Sequence, residues 1–271
     1  MVLDEKNKTL AVLIPLTAPQ WDCKQLVLHC NGKRWTMKLH RYRHEDEVSY
    51  ALGMTLTMEM LLTIPQHTKQ IFISESIEEG EAFRRLQELC KAKSIPIETN
   101  EKAFNILSPK GNCFVIGVFR KFQSNLNVGS HIVLVNPSDA GNIGTIIRTA
   151  LGFGMPSISL ICPAVDIFDP KVVRASMGAI FHSQFNYYNS FEEYCDKFAT
   201  QNHYAFMLQS SVPIGEVNFL KPYSLIFGNE ATGLPDSYAD SCQAIVIPHA
   251  KTIDSLNLPI AAGIAMFVAT N

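Results

Sequence analysis

Three short segments in the C-terminal half of this chain concentrate the residues able to do chemistry. The first runs Asn136-Pro137-Ser138-Asp139-Ala140-Gly141-Asn142-Ile143-Gly144-Thr145-Ile146-Ile147-Arg148-Thr149-Ala150. The second runs Leu225-Ile226-Phe227-Gly228-Asn229-Glu230-Ala231-Thr232-Gly233-Leu234-Pro235, and the third is Ile247-Pro248 followed by Ser255-Leu256-Asn257. A glycine-bearing loop that opens a helix presents free amides and the positive end of the helix dipole, so the first segment favours an anionic group. Arg148 adds a permanent charge six residues after Asn142; it is either solvated, like most helix arginines, or set against that anion. Glu230 either plays a structural part, bonding backbone amides or holding an arginine, or takes part directly in the chemistry.

The elements that must position these side chains emerge from pattern. Residues 131–135 are an apolar, β-branched run, the signature of a buried strand, and the run stops at the turn signal Asn136-Pro137. Ser138 or Asp139 caps the next element, and Gly141 and Gly144 permit close backbone approach. Apolar residues then recur at helical spacing through Ile143, Ile146, Ile147, Ala150 and Leu151. The second segment repeats this grammar: a strand at 224–227, a tight polar turn at 228–230, and a loop at 233–235 before a helix start. The third begins with a strand at 244–247 and leads into an apolar stretch from 256 to 268. That stretch is too short and interrupted for a membrane span, which needs about 20 apolar residues, and reads as a buried helix. Neither glycine turn has the G-x-G-x-x-G pattern of dinucleotide folds or the lysine and hydroxyl of a phosphate loop, so NAD and ATP are not favoured.

In this order and spacing the three segments resemble the signature motifs of the SpoU (TrmH-like) branch of the SPOUT RNA methyltransferases. A further piece, Arg174-Ala175-Ser176-Met177-Gly178-Ala179-Ile180-Phe181, is similar to the family's stretch between its first two motifs. The resemblance implies an α/β fold whose C-terminal domain is a trefoil knot, S-adenosylmethionine as methyl donor, and 2′-O-methylation of a ribose in RNA, ribosomal rather than transfer RNA. Carried over by position, it implies Phe227, Gly228, Ile247 and Leu256 at the cofactor loops. Asn142, Arg148, Glu230, Ser255 and Asn257 become the polar set around the methyl group and the target ribose. Because a guanidinium is effectively never deprotonated in a protein, the expected part for Arg148 is phosphate clamp and oxyanion stabiliser, with Ser255 and Asn257 orienting the nucleophile. The family also implies a homodimer packed through the knotted domains.

The chain has 271 residues, 47% of them hydrophobic, which is long enough for two domains. Polar residues 123–130 divide it. The knotted methyltransferase domain is expected over 131–271 and an α/β domain for RNA binding over 45–122. The latter reads as a helix at 44–62, a strand at 70–74, a helix at 79–93, a strand at 95–98, a short helix at 101–107 and a strand at 114–119. Here Lys110-Gly111-Asn112 departs from the family's usual His-Gln-Gly, so the substrate-domain match is weaker than the catalytic one. Residues 1–44 read as a basic β extension, with strands at 26–30 and 35–39 flanking the hairpin signal Asn31-Gly32. They carry eight Lys or Arg against three Asp or Glu. Lys33, Arg34, Lys38, Arg41 and Arg43 with Trp35 and Tyr42 either track an RNA backbone or keep an edge hairpin soluble.

Seven cysteines without a C-x-x-C pair and eight scattered histidines predict a reducing cytoplasm and no metal. No charged segment followed by an apolar core opens the sequence, so secretion is not expected. The 131–271 half holds six basic and eleven acidic residues, an unusual balance for a nucleic-acid enzyme. Two alternatives therefore stand beside the favoured one: a knotted RNA binder without catalysis, and a methyltransferase for protein or small molecules.

Overall fold

The structure is a computed structural model, and it describes residues 39–108, 112–126, 128–210 and 212–271. The 26–30 strand, most of the 35–39 strand and the Lys110-Gly111 departure lie outside the described residues. Residues 39–271 form one compact unit.

The first part runs β1 (Val48–Leu52), α1 (Met54–Thr63), β2 (Thr68–Ile73), α2 (Glu81–Ala92), β3 (Ile97–Thr99), α3 (Glu101–Leu107) and β4 (Val115–Arg120), giving a four-stranded sheet of order β1-β4-β2-β3. The helix expected over 44–62 is corrected in its first half. Residues 48–52 form β1, paired antiparallel with β4 from Val48↔Arg120 to Leu52↔Ile116. Gly53, at φ 106°, then turns the chain into α1. Val48 and Tyr50 suit a half-buried ladder, and the positive φ suits only glycine, so tertiary pairing overrides a local periodicity that holds from 54 onward.

The second part runs β5 (His131–Val135), α4 (Ala140–Gly152), β6 (Ser157–Ile161), α5 (Pro170–Ala175), β7 (Gln184–Tyr188), α6 (Phe191–Lys197), β8 (Asn202–Phe206), β9 (Tyr223–Phe227), α7 (Tyr238–Ser241), β10 (Gln243–Ile245) and α8 (Leu258–Thr270). Its six strands pair in parallel in the order β10-β8-β9-β5-β6-β7. β5, β6 and β9 are buried along their whole length, as parallel strands covered on both faces must be. The period of two sorts their side chains: Ile132, Leu134, Leu225 and Phe227 enter one core, Val133, Val135 and Ile226 the other.

Three consequences bear on function. β5 and β9, carriers of the first two motifs, are hydrogen-bonded neighbours, with Leu134 opposite Phe227. The loops that leave them therefore emerge side by side at the carboxyl edge of the sheet, where ligands of open α/β sheets bind. At the opposite edge a buried polar cluster links β5, β9 and α6. Tyr194 Oη lies 2.9 Å from His131 Nδ1 and 2.6 Å from Ser224 Oγ, and Gln201 Nε2 donates to the Gly129 carbonyl at 2.8 Å.

The third consequence is a junction around Asp166, in the loop before α5. Lys121 Nζ donates to its carboxylate at 2.8 Å and to the His44 carbonyl at 2.7 Å. Tyr42 Oη also donates to Asp166, its ring lying under Lys121 Nζ at 4.8 Å. Tyr42, a candidate base-stacking residue by sequence, is thus engaged within the molecule. Burial alone raises the Asp166 carboxyl, yet hydrogen bonds from Lys121, Tyr42 and the Phe168 amide, with the nearby ammonium, hold it below its ordinary value. A carboxylate depressed on folding stabilises the fold above its unfolded-state pKa, and that contribution fades as pH falls through the folded value. Asp166→Ala is therefore expected to lower stability at pH 7 by about 2–3 kcal/mol. In urea melts the gap between variant and wild type should narrow below about pH 4; a gap independent of pH would show that the charge contributes nothing.

Candidate active site

The first motif leaves β5 through Asn136, which adopts φ 50°, a region asparagine tolerates better than most residues. Of the two candidate caps, Asp139 caps α4, its carboxylate accepting from the Asn142 amide at 2.7 Å. Ser138 turns instead toward the second motif. Its hydroxyl donates to Glu230 Oε2 at 2.9 Å and its amide to the same oxygen at 3.3 Å. The Asp139 amide and Asn142 Nδ2 each donate to Glu230 Oε1 at 3.2 Å. Glu230 therefore bonds amides rather than an arginine, and it ties the β9 loop to the start of α4. Burial by itself raises its carboxyl, but hydrogen bonds from its own amide, Asn142 and Ser138 prevail and hold it below the usual carboxylate range. Asn229 adds a second tie, Nδ2 donating to the Asn136 carbonyl at 2.7 Å.

Backbone packing shapes the second motif. A Cβ added to Gly228 would lie 2.2 Å from the Gly233 carbonyl carbon and 2.4 Å from the Leu234 nitrogen. Only a residue without a side chain lets the loop fold back so closely. The Gly233 amide closes that turn on the Asn229 carbonyl at 2.9 Å, and Gly233 itself adopts φ 68°.

The third motif succeeds β10. Val246 exchanges backbone bonds with Val212 and Ile214, both at 2.9 Å, which anchors the chain before it turns toward Ser255. Asn257 is the N-cap of α8, yet its side chain makes no capping bond. An asparagine there ordinarily accepts from the second or third amide of its helix. Pro259 at the second position has no amide to give, and the Asn257 side chain is exposed.

These loops enclose a cleft of about 460 Å³, within the size range of small-molecule sites. Asn142, Gly228, Glu230, Ile247, Ser255 and Asn257 line it, together with Phe227 and Leu256. The rings of Phe206 and Phe227 stack 4.7 Å apart at 9°, an apolar element of its wall. Eight of the nine residues picked out by sequence thus meet in one place. Arg148 does not line the cleft; it is exposed on α4, about one and a half turns beyond Asn142.

Sequence reasoning missed Phe206, Met207 and Gln209, which also line the cleft, with Gln209 Nε2 donating to Asp236 Oδ1 at 2.5 Å. The signal was a short strand, 202–206, ending at a polar turn. Among the described residues no group of three or more His, Cys, Asp or Glu side chains is arranged to hold a metal, and no helix is long and apolar enough to cross a membrane.

Residues 129–267 match the profile of the SpoU rRNA Methylase family. An uncharacterised tRNA/rRNA methyltransferase of Synechocystis sp. is 34% identical over 141 residues, 51% of this chain and 52% of that protein. The 23S rRNA (guanosine(2553)-2′-O)-methyltransferase RlmP of Bacillus subtilis is 28% identical over 149 residues, 54% of this chain and 60% of that protein. The chain thus spans little more than half the length of these curated relatives. Among solved structures, the AdoMet-bound rRNA methyltransferase of Sinorhizobium meliloti superposes with a TM-score of 0.69 at 28% identity, covering 82% of this chain and 87% of that one.

Proposed function

The chain belongs to the SpoU rRNA methylase family, and from that premise we propose that it methylates the 2′-hydroxyl of a ribose in structured RNA, ribosomal rather than transfer RNA, using S-adenosylmethionine. The observation that carries the reading is the single cleft shared by eight motif residues from three separate strand ends. The donor fits what lines it: the stacked rings of Phe206 and Phe227 beside the tight turn at 228–234, in a cleft of about 460 Å³. In this reading the loops after β9 and β10 belong to a threaded, knotted segment. Two copies pack through that domain, and residues 45–122 serve as the RNA-binding domain.

When bound, S-adenosylmethionine supplies an electrophilic methyl group on a sulfonium. The chain's own residues supply alignment and electrostatics. Ser255 and Asn257, exposed at the cleft with no capping duty, orient the ribose hydroxyl, and holding the reactants in line provides much of the acceleration. Arg148, permanently charged and exposed about one and a half turns along α4 from Asn142, stands outside the donor cleft, where this reading puts the incoming ribose; there it stabilises the developing oxyanion and clamps the adjoining phosphate. Glu230 is a poor proton acceptor, since its oxygens are already held by Ser138, Asp139 and Asn142; its part is to fix the two loops against each other.

Tritiated S-adenosylmethionine offered with total RNA, protein and metabolite pools from a strain lacking the gene tests this. Label is expected in RNA alone, in dinucleotides that resist alkaline hydrolysis. Label in protein or metabolites, or in none of the pools, would overturn it.

A further inference from the structure

Lys171, Arg174 and Met177 recur at every third position and are all exposed, while Val172, Val173 and Ser176 between them are buried. Residues three apart on a helix are surface neighbours, so the two cations share one face of α5. Met177 lies just past the helix end at φ 51°, with Gly178 next at φ 86°. A residue with a side chain is unfavourable there, and such strain persists only where the surroundings impose it. The buried Ser176 and the close fit of Gly178 on Glu59 impose it, and the result is a methionine 46% exposed that belongs to neither core.

α5 is packed tightly on α4. A Cβ at Gly144 would stand 2.5 Å from Ala175 Cβ and 2.8 Å from the Ser176 nitrogen. Arg148 is four residues beyond Gly144, one turn along that side of α4. Arg148, Lys171 and Arg174 are three of the six basic side chains in the 131–271 half. None of the three is in an ion pair with a described residue. Of the carboxylates close by, Asp169 accepts from the Lys171 amide at 2.8 Å, and Glu59 contacts His182 at 2.6 Å.

We propose that Lys171, Arg174 and Met177 form a contact strip for the unpaired RNA strand that leads into the site, the two cations on backbone phosphates and the Met177 thioether against a base. This rests on the RNA reading of the cleft and deepens it. The locally basic strip answers the acidic balance of the domain, because a phosphate chain is attracted by the nearby field rather than by net charge. A mixed strip of cation and soft apolar side chain matches an unpaired strand, whose bases are free to be covered, better than a duplex.

The test is filter retention of end-labelled RNA fragments from a strain lacking the gene, measured across salt concentrations, with methyl-transfer kinetics on the same RNA. Lys171→Glu combined with Arg174→Glu is expected to weaken RNA binding at least tenfold and to flatten the log–log salt slope by about 1.4, two single-strand phosphate contacts. The KM for RNA should rise while kcat at saturating RNA and S-adenosylmethionine affinity by equilibrium dialysis stay within about twofold. Met177→Ala should weaken binding a few-fold without changing the slope. A doubly reversed variant with wild-type affinity and slope overturns the strip and leaves the enzyme assignment standing. Wild-type protein that neither retains nor methylates RNA overturns both. Should the double variant misfold, the single variants Lys171→Gln and Arg174→Gln decide by the same slope, each expected to flatten it by about 0.7.

Discussion

Alanine at Gly228 is expected to weaken S-adenosylmethionine binding severely, and methyl transfer with it. The added methyl would meet the Gly233 carbonyl carbon at 2.2 Å, its oxygen at 2.3 Å and the Leu234 nitrogen at 2.4 Å. All three are backbone atoms, so no side chain can swing aside, and the turn that forms the cleft rim must open. Overpacking of this kind costs about 1–3 kcal/mol when the surroundings yield. Here yielding means displacing residues 228–234, all of which line the cleft. Equilibrium dialysis should show the affinity falling by about a hundredfold or more, equivalent to about 2.7 kcal/mol. The thermal midpoint should drop far less than for a core cavity, because Gly228 packs at the sheet edge rather than inside either core. Wild-type affinity in this variant would mean that the rim does not hold the donor.

The second large effect is expected at Arg148. Arg148→Ala should lower kcat by about 10²–10³, the usual cost of removing one donor aimed at developing negative charge. S-Adenosylmethionine affinity should change little, since Arg148 does not line the cleft. Arg148→Lys keeps the charge but loses the planar fork, so it should recover only part of the rate. Turnover left intact with RNA affinity alone reduced would sink the oxyanion role and leave only the phosphate clamp.

Legibility in the sequence tracked how local the controlling physics is. The strand, turn and helix at 131–152 could be read residue by residue, because an apolar run, a proline turn and a 3.6 period lie in unbroken succession. The choice between Ser138 and Asp139 as cap could not, because it depends on Glu230, 92 positions from Ser138, which claims the Ser138 hydroxyl. The helical reading of 44–62 failed at β1 for the same reason: its partner β4 lies beyond two further helices. Phe206 and Gln209 escaped notice because a five-residue strand before a polar turn is a weak signal until its neighbours are known. Asn257 was selected by its resemblance to a motif; that its side chain leaves its own helix uncapped is visible only in three dimensions.

The adjacency of β5 and β9 also constrains how the molecule comes into being. Asn142 and Glu230 touch across 88 positions, and the wall opposite them is built from Ser255 and Asn257. During synthesis the ribosome delivers the helix that starts at Ala140 long before any partner for its capping loop exists. No nascent chain that stops short of Asn257 carries a complete pocket, so a chain cut before that residue is expected to show no methyl transfer rather than a reduced rate. Closing such distant contacts is slow, and methylating competence should therefore trail the appearance of full-length polypeptide by the time the last strand needs to find its place.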